Sequence, residues 1–246
     1  MPSTTSPHRA YAAAHMFLAL FSALAASLLP PASWGAEKPQ GPGGEAPKWS
    51  ELFDGKTLKN WEVLEKFDFK NHGRVHVDDG CLVLDAGQPG TGVRFTGKLP
   101  QWDYEVALEA KRLEGGDFFC ATTFPVGDKA LTLIMGGWGG WVVGLSCIDG
   151  YYAVDNETCQ SMQFEQNRWY RVRLRVTRPA IHVWIDDKEL ITLETKDRKF
   201  NVSWEMEPCQ PFGFATWYTQ GAVRHVRYRP LGQQEASPQG PAKKKA

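Results

Sequence analysis

The chain has 246 residues, 28 Lys and Arg against 28 Asp and Glu, and a formal charge of zero at pH 7. That balance excludes an electrostatic nucleic-acid binder, which needs clustered excess cations, and 42% hydrophobic with 23% charged residues excludes wholesale disorder. Ten Trp and 24 Gly point instead to tightly turned β-structure with aromatic surface available for binding.

In chain order, residues 1–36 read as a signal peptide. His8 and Arg9 precede an apolar run at residues 16–29, Pro30 and Pro31 end it, and Ser33-Trp34-Gly35 offers a small-x-small cleavage pattern. The run is short for a bilayer span, and no later segment is apolar enough to cross a membrane. A secreted or periplasmic location is therefore expected. Residues 37–48 read as a flexible linker, 49–231 as one domain, and 232–246 as a disordered basic tail ending in three lysines. The five cysteines (81, 120, 147, 159, 209) are an odd number and fit no zinc spacing. Cys147 and Cys159 could face each other across a hairpin, and buried free thiols account for the pattern equally well.

Inside the domain, strand follows strand. Residues 74–85 are two short runs joined at Asp79-Gly80, a hairpin signal. From Trp102, the positions Tyr104, Val106, Leu108 and Ala110 alternate with Asp103, Glu105, Glu109 and Lys111. Tyr170, Val172, Leu174 and Val176 alternate with Arg171, Arg173 and Arg175; Ile181, Val183 and Ile185 continue the pattern. Residues 189–194, 212–217 and 222–228 complete it. Period-2 alternation with one polar face marks half-buried antiparallel strands. The fold expected is all-β: an antiparallel two-sheet β-sandwich of jelly-roll type. The arginines of 171–175 read as a solvated outer face with acidic partners on the neighbouring strand.

Unusual residues concentrate between 115 and 157. Asp117 stands among aromatics. Trp138 and Trp141 sit among Gly136, Gly137, Gly139 and Gly140, where glycine permits sharp bends or close approach of a ligand and indole faces can stack on sugars. Asp149, Asn156 and Glu157 follow, and can act as acid, base and orienting groups or simply shape a polar hairpin. None of the strand histidines forms a zinc pair, no Gly-x-Ser-x-Gly occurs, and no metal-ligand motif is present. The sequence leaves any cofactor open, and paired carboxylates such as these can also bind a hard cation.

The segment Leu52-Phe53-Asp54-Gly55-Lys56-Thr57-Leu58-Lys59-Asn60-Trp61 resembles the opening of the 3-keto-disaccharide hydrolase domain family. Later landmarks follow in order: residues 77–83, 102–106, 168–170 with 181–187, and 211–214 through Pro230-Leu231. The resemblance implies a concanavalin A-like sandwich, a carbohydrate ligand or substrate, and acid/base chemistry on a 3-keto-glycoside. On that reading Asp117 and Glu157 are the catalytic candidates, and Trp138, Trp141, Asp149, Asn156 and Trp217 bind the sugar. The sequence departs from the family's pattern at 116–121, 141–145 and 217–221, and the stretch 117–158 resembles a divergent branch of exported planctomycete-type proteins. A lectin-like module without turnover is the alternative reading.

Overall fold

The computed structural model describes residues 48–237; the signal-peptide reading, nearly all of the linker and the lysine-rich end lie outside them. The strands are β1 (Ser50–Glu51), β2 (Trp61–Val63), β3 (Val75–Asp78), β4 (Cys81–Leu84), β5 (Gly90–Phe95), β6 (Tyr104–Glu114), β7 (Ala121–Val126) and β8 (Lys129–Gly136). They continue as β9 (Val142–Ser146), β10 (Gln160–Ser161), β11 (Trp169–Val176), β12 (Ala180–Ile185), β13 (Lys188–Glu194), β14 (Gly213–Trp217) and β15 (Gln220–Pro230). Two antiparallel sheets result. The first runs β13-β12-β11-β6-β15-β4-β3, with β1 also on β15; the second runs β10-β9-β8-β7-β14-β5-β2.

The first sheet explains why alternation was readable. Tyr104, Val106, Leu108 and Ala110 of β6 point into the core beside Tyr170, Val172, Leu174 and Val176 of β11. The opposite positions face outward and pair across strands, as the arginine run suggested. Glu105, only 1% exposed, receives Arg175 at 2.7 Å and Arg229 at 2.6 Å, with Arg173 at 3.5 Å. Glu109 takes Arg224 at 2.7 Å. A carboxylate this buried is tolerable only because several guanidinium donors satisfy it.

The second sheet is buried on both faces. Its inner face contributes Phe124, Leu131, Leu133, Met135, Val143, Leu145 and Phe214 to the shared core. Its outer face carries Ala121, Ala130, Ala215 and Ile134, and is covered by Leu64, Phe69, Ala153, Val202, Met206 and Cys209 from the chain's own loops. Small residues let those loops lie flat. A Cβ added at Gly92 would stand 2.8 Å from the Phe69 ring and 2.9 Å from Leu64; one at Gly144 would stand 2.9 Å from the Ala153 carbonyl. Because both faces of β7, β9 and all of β8 past Lys129 are buried, their sequences do not alternate between apolar and charged residues.

The opening decapeptide is structural. Asp54 accepts hydrogen bonds from the Lys56 and Thr57 amides at 2.8 and 2.7 Å and from the Thr57 hydroxyl at 2.7 Å, which hold its carboxyl down at about 2. Trp61 donates to the Leu52 carbonyl at 3.0 Å and stacks on Phe214 at 5.3 Å. All five thiols are free, Cys147 and Cys159 included. Past Leu231, Gln233–Ala236 form one helical turn held by Glu235 to Arg229 at 2.8 Å.

If the loop over β9 depends on the missing side chain at Gly144, Gly144→Val should cost about 1–3 kcal/mol, the usual penalty of overpacking. Chemical denaturation measures the loss, and limited proteolysis should show faster cutting within 147–159. A variant as stable and as resistant as the parent would contradict this packing.

Candidate functional site

At one end of the sandwich, four connections knit together. The Asp117 amide donates to Thr219 Oγ1 at 2.9 Å, the Trp217 amide to the Phe118 carbonyl at 3.0 Å, and the Met162 amide to the Trp141 carbonyl at 2.8 Å. The Asn167 amide adds a bond of 2.7 Å to the Arg112 carbonyl. Between β8 and β9, the glycine-rich run makes a tight turn, Gly137–Gly140, with Gly136, Trp138, Gly139 and Gly140 all at positive φ. For three of these four, glycine removes the steric cost of that backbone.

Arg112 sits beneath this turn. Counting two residues at a time from Tyr104, position 112 belongs to the inward, apolar face of β6. The side chain is 6% exposed, and its Nη2 donates to the Gly140 carbonyl at 2.9 Å. Its Nε is buried and has no partner among the described residues. Burial lowers its pKa; nearby Tyr170 and Asp117 oppose that shift. A Cβ on Gly140 would come within 2.8 Å of the Gly116 carbonyl and 3.1 Å of Arg112 Nη1. The close approach that this glycine permits is thus that of the protein's own guanidinium and loop.

Asp117 lies beside it, half-buried. Its Oδ1 accepts the Phe118 amide at 2.7 Å, and the Gly139 amide also donates to it. Desolvation raises its pKa, outweighing both amide bonds and the attraction of Arg112. A shielded carboxyl with a raised pKa beside a cleft is a candidate for proton exchange. Gly116 and Gly139, next to it in the chain and bonded to it, line a cleft of about 560 Å³ together with Arg112, Trp141 and Phe164. Trp141 is 47% exposed and Trp138 41%. The Trp138 ring meets Tyr152 edge-on at 6.3 Å. Trp217 packs against Phe118 at 5.7 Å and Tyr218 at 6.2 Å.

Asp149 and Glu157 are arranged differently. Both pair with Arg198, Asp149 at 2.6 Å, and Asp149 also accepts the Lys199 amide at 2.8 Å. The Lys199 bond, then Arg198, holds the Asp149 carboxyl below the usual carboxylate range. Asn156 commits its side chain to the loop: Nδ2 donates to the carbonyls of Leu145 and Tyr152, each at 2.8 Å, and Oδ1 accepts from the Thr158 amide at 2.9 Å. The seven sequence-read residues therefore fall into distinct settings. Asp117 and Trp141 belong to the end loops, and Trp217 closes β14 beside them. Trp138 reaches toward Tyr152, and Asp149 and Glu157 share Arg198. Asn156 shapes the loop between. Among the described residues, no three His, Cys, Asp or Glu side chains cluster to hold a metal.

Sequence reading passed over Arg112, although its signal was present: a cation on the apolar side of an alternating strand. Arg198 carried no such signal, since its partners lie more than 40 positions away. The exposed aromatics Phe67, Trp138, Trp141, Tyr151, Tyr152, Trp204 and Tyr218 all lie in the turns and short helical segments between strands.

An antiparallel sandwich with an aromatic-rich end and a shielded acid is a carbohydrate-active domain of glycosidase-like or carbohydrate-binding type. Residues 48–231 match the 3-keto-alpha-glucoside-1,2-lyase-like domain, and the chain belongs to that family. No curated protein matches it. Among solved structures, the Crh5 transglycosylase in complex with NAG is similar over 76% of this chain and 84% of its own, at 12% identity and TM-score 0.51. A Bacillus subtilis protein of unknown function with a galectin-like fold is similar over 70% and 90%, at 11% identity and TM-score 0.50. The carbohydrate binding module CBM66 from Bacillus subtilis is similar over 69% and 95%, at 8% identity and TM-score 0.45. The first two likenesses agree with the sandwich fold and extend no further.

The raised pKa of Asp117 has a thermodynamic signature. The folded state holds that proton more tightly than the unfolded chain, so its contribution to stability is present below the ordinary carboxylate pKa and is lost as pH rises through the raised value. Asp117→Asn keeps one acceptor oxygen for the two amides and cannot ionise, so its stability relative to the parent should improve as pH rises through the raised value and be least favourable at low pH. Paired denaturation curves across pH measure this; a gap constant with pH would rule out a titrating Asp117.

Proposed function

We propose that this domain is exported and acts on 3-keto-glycosides, with Asp117 as the general base. The observation that carries the reading is a desolvated carboxylate held by two backbone amides next to a cleft walled by an exposed indole. A 3-keto group acidifies the neighbouring C2–H. Asp117 takes that proton and the electron pair passes into the enolate on O3. The enolate then re-forms the carbonyl, expels the oxygen at C1 and leaves a C1–C2 double bond; the departing oxygen takes a proton from water at the open cleft mouth. A positioned base of this kind contributes about 10²–10⁴-fold to rate. Trp141 offers the sugar a flat apolar face, and Trp217 with Phe118 keeps the loop around Asp117 packed. Glu157 takes no step, because its carboxylate is engaged by Arg198. Export is supported by the apolar run at residues 16–29.

A second reading, glycan binding without turnover, is favoured by a specific feature: the other sequence-read acids are already paired, leaving Asp117 without a carboxylate partner for acid/base exchange. One assay separates the two. Purified protein incubated with a 3-keto-glucoside should release the aglycone or second sugar, and Asp117→Asn should slow release by about 10²-fold or more while retaining the fold. Release unaffected by that change would remove Asp117 from the mechanism. Absence of release, with glycan affinity lost in Trp141→Ala, would establish the binding reading.

A further inference from the structure

Removal of a C2 proton assigns no work to Arg112, yet burying a guanidinium costs several kcal/mol unless it is compensated. Its compensation within the chain is thin. Of five N–H donors, one reaches the Gly140 carbonyl, Nε is buried without a partner, and the rings of Phe119 and Phe164 lie 5.3 and 5.9 Å from its centre. Arg112 forms no ion pair among the described residues. Asp117, the nearest acid acting on it, gives its oxygens to the Phe118 and Gly139 amides. Contrast Glu105 on the other face of the same strand, whose charge is matched by three arginines.

We infer that the cleft over Arg112 takes a carboxylated sugar, a uronic acid unit, with its carboxylate against the Arg112 guanidinium. The inference deepens the carbohydrate reading above and rests on it for the sugar, but not for the chemistry at C2. Four features favour this ligand. Arg112 makes no direct ion pair with Asp117, and a monoanionic carboxylate placed on its free donors meets less repulsion from Asp117 than a dianionic phosphate ester would. The cleft volume, about 560 Å³, is in the range of small-ligand sites. Its walls combine the Trp141 and Phe164 rings with Ser161 and Gln163, an apolar face with hydroxyl-directed polar groups. Glu165, the remaining acid on the rim, is highly exposed and lies 4.0 Å from Arg168, so its field at the cleft floor is screened.

The test uses the full chain and two probes, a galacturonate trisaccharide and its fully methyl-esterified form, with binding followed by calorimetry or indole fluorescence. The acid should bind about tenfold or more tightly than the ester, as expected for a charge-assisted hydrogen bond, and added salt should narrow the difference. Arg112→Gln should abolish the preference while leaving the far-ultraviolet spectrum unchanged. Because a core substitution can fail to fold, the acid-against-ester comparison on the unaltered chain stands as an independent measure. Equal affinity for acid and ester overturns the inference and leaves the 3-keto reading intact, as does a preference that persists in folded Arg112→Gln. Acid binding with no release from 3-keto-glucosides upholds the inference and defeats the lyase reading. Binding of neither probe defeats the uronate inference, whatever the turnover assay gives.

Discussion

The second sheet has no outer face to offer a ligand. Alanines and glycines pave it, and Phe69, Ala153, Met206 and Cys209 from the chain's own loops lie directly on that paving. Removing this apolar area from water stabilises the loops at roughly 25 cal/mol per Å² buried, and close packing makes the arrangement sensitive to single methyl groups. Function is displaced in consequence. The open groups are at one end of the sandwich, where the connections around Asp117, the glycine turn and Tyr218 converge, and along the loop crests, where aromatic rings remain exposed.

At that end, a buried guanidinium and a half-buried carboxyl are held near each other without being merged into an ion pair. Asp117 is solvated by backbone amides, and Arg112 by one carbonyl and two aromatic rings. Each pays a desolvation cost that pairing would have lowered, and each keeps hydrogen-bonding capacity that pairing would have consumed. Local strain and unsatisfied polarity of this kind gather at working sites. The contrast with Asp149 and Glu157, both satisfied by Arg198, separates side chains that organise a loop from side chains left available.

How well the sequence could be read depended on solvent. The first sheet keeps one wet face, so β6, β11 and β12 print their orientation as alternation, and even Arg112 was encoded there as an inward cation. In β7, β8 and β9 both faces are dry, and the pattern collapses into apolar runs with no phase. The family landmarks were readable for a related reason. The hydrogen bonds of Asp54 and Trp61 reach neighbours within nine positions, so the motif describes a local turn, while the Trp61 ring packs on the distant Phe214. Asn156 and Glu157 looked like chemistry because their types suit it. Their partners, the carbonyls of Leu145 and Tyr152 and the guanidinium of Arg198, come into view only in the fold.

Local physics written along the chain determines that this is a two-sheet antiparallel sandwich, where the hairpins turn, and which face of the first sheet is wet, because period-2 burial and turn chemistry act over a few residues. Tertiary structure alone decides that the second sheet is sealed by its own loops, that Arg198 neutralises two acids, and that Arg112 and Asp117 share one shielded end. Those outcomes depend on contacts between residues far apart in the chain, and even where one member is marked by its neighbours, as Arg112 is, its partner is not.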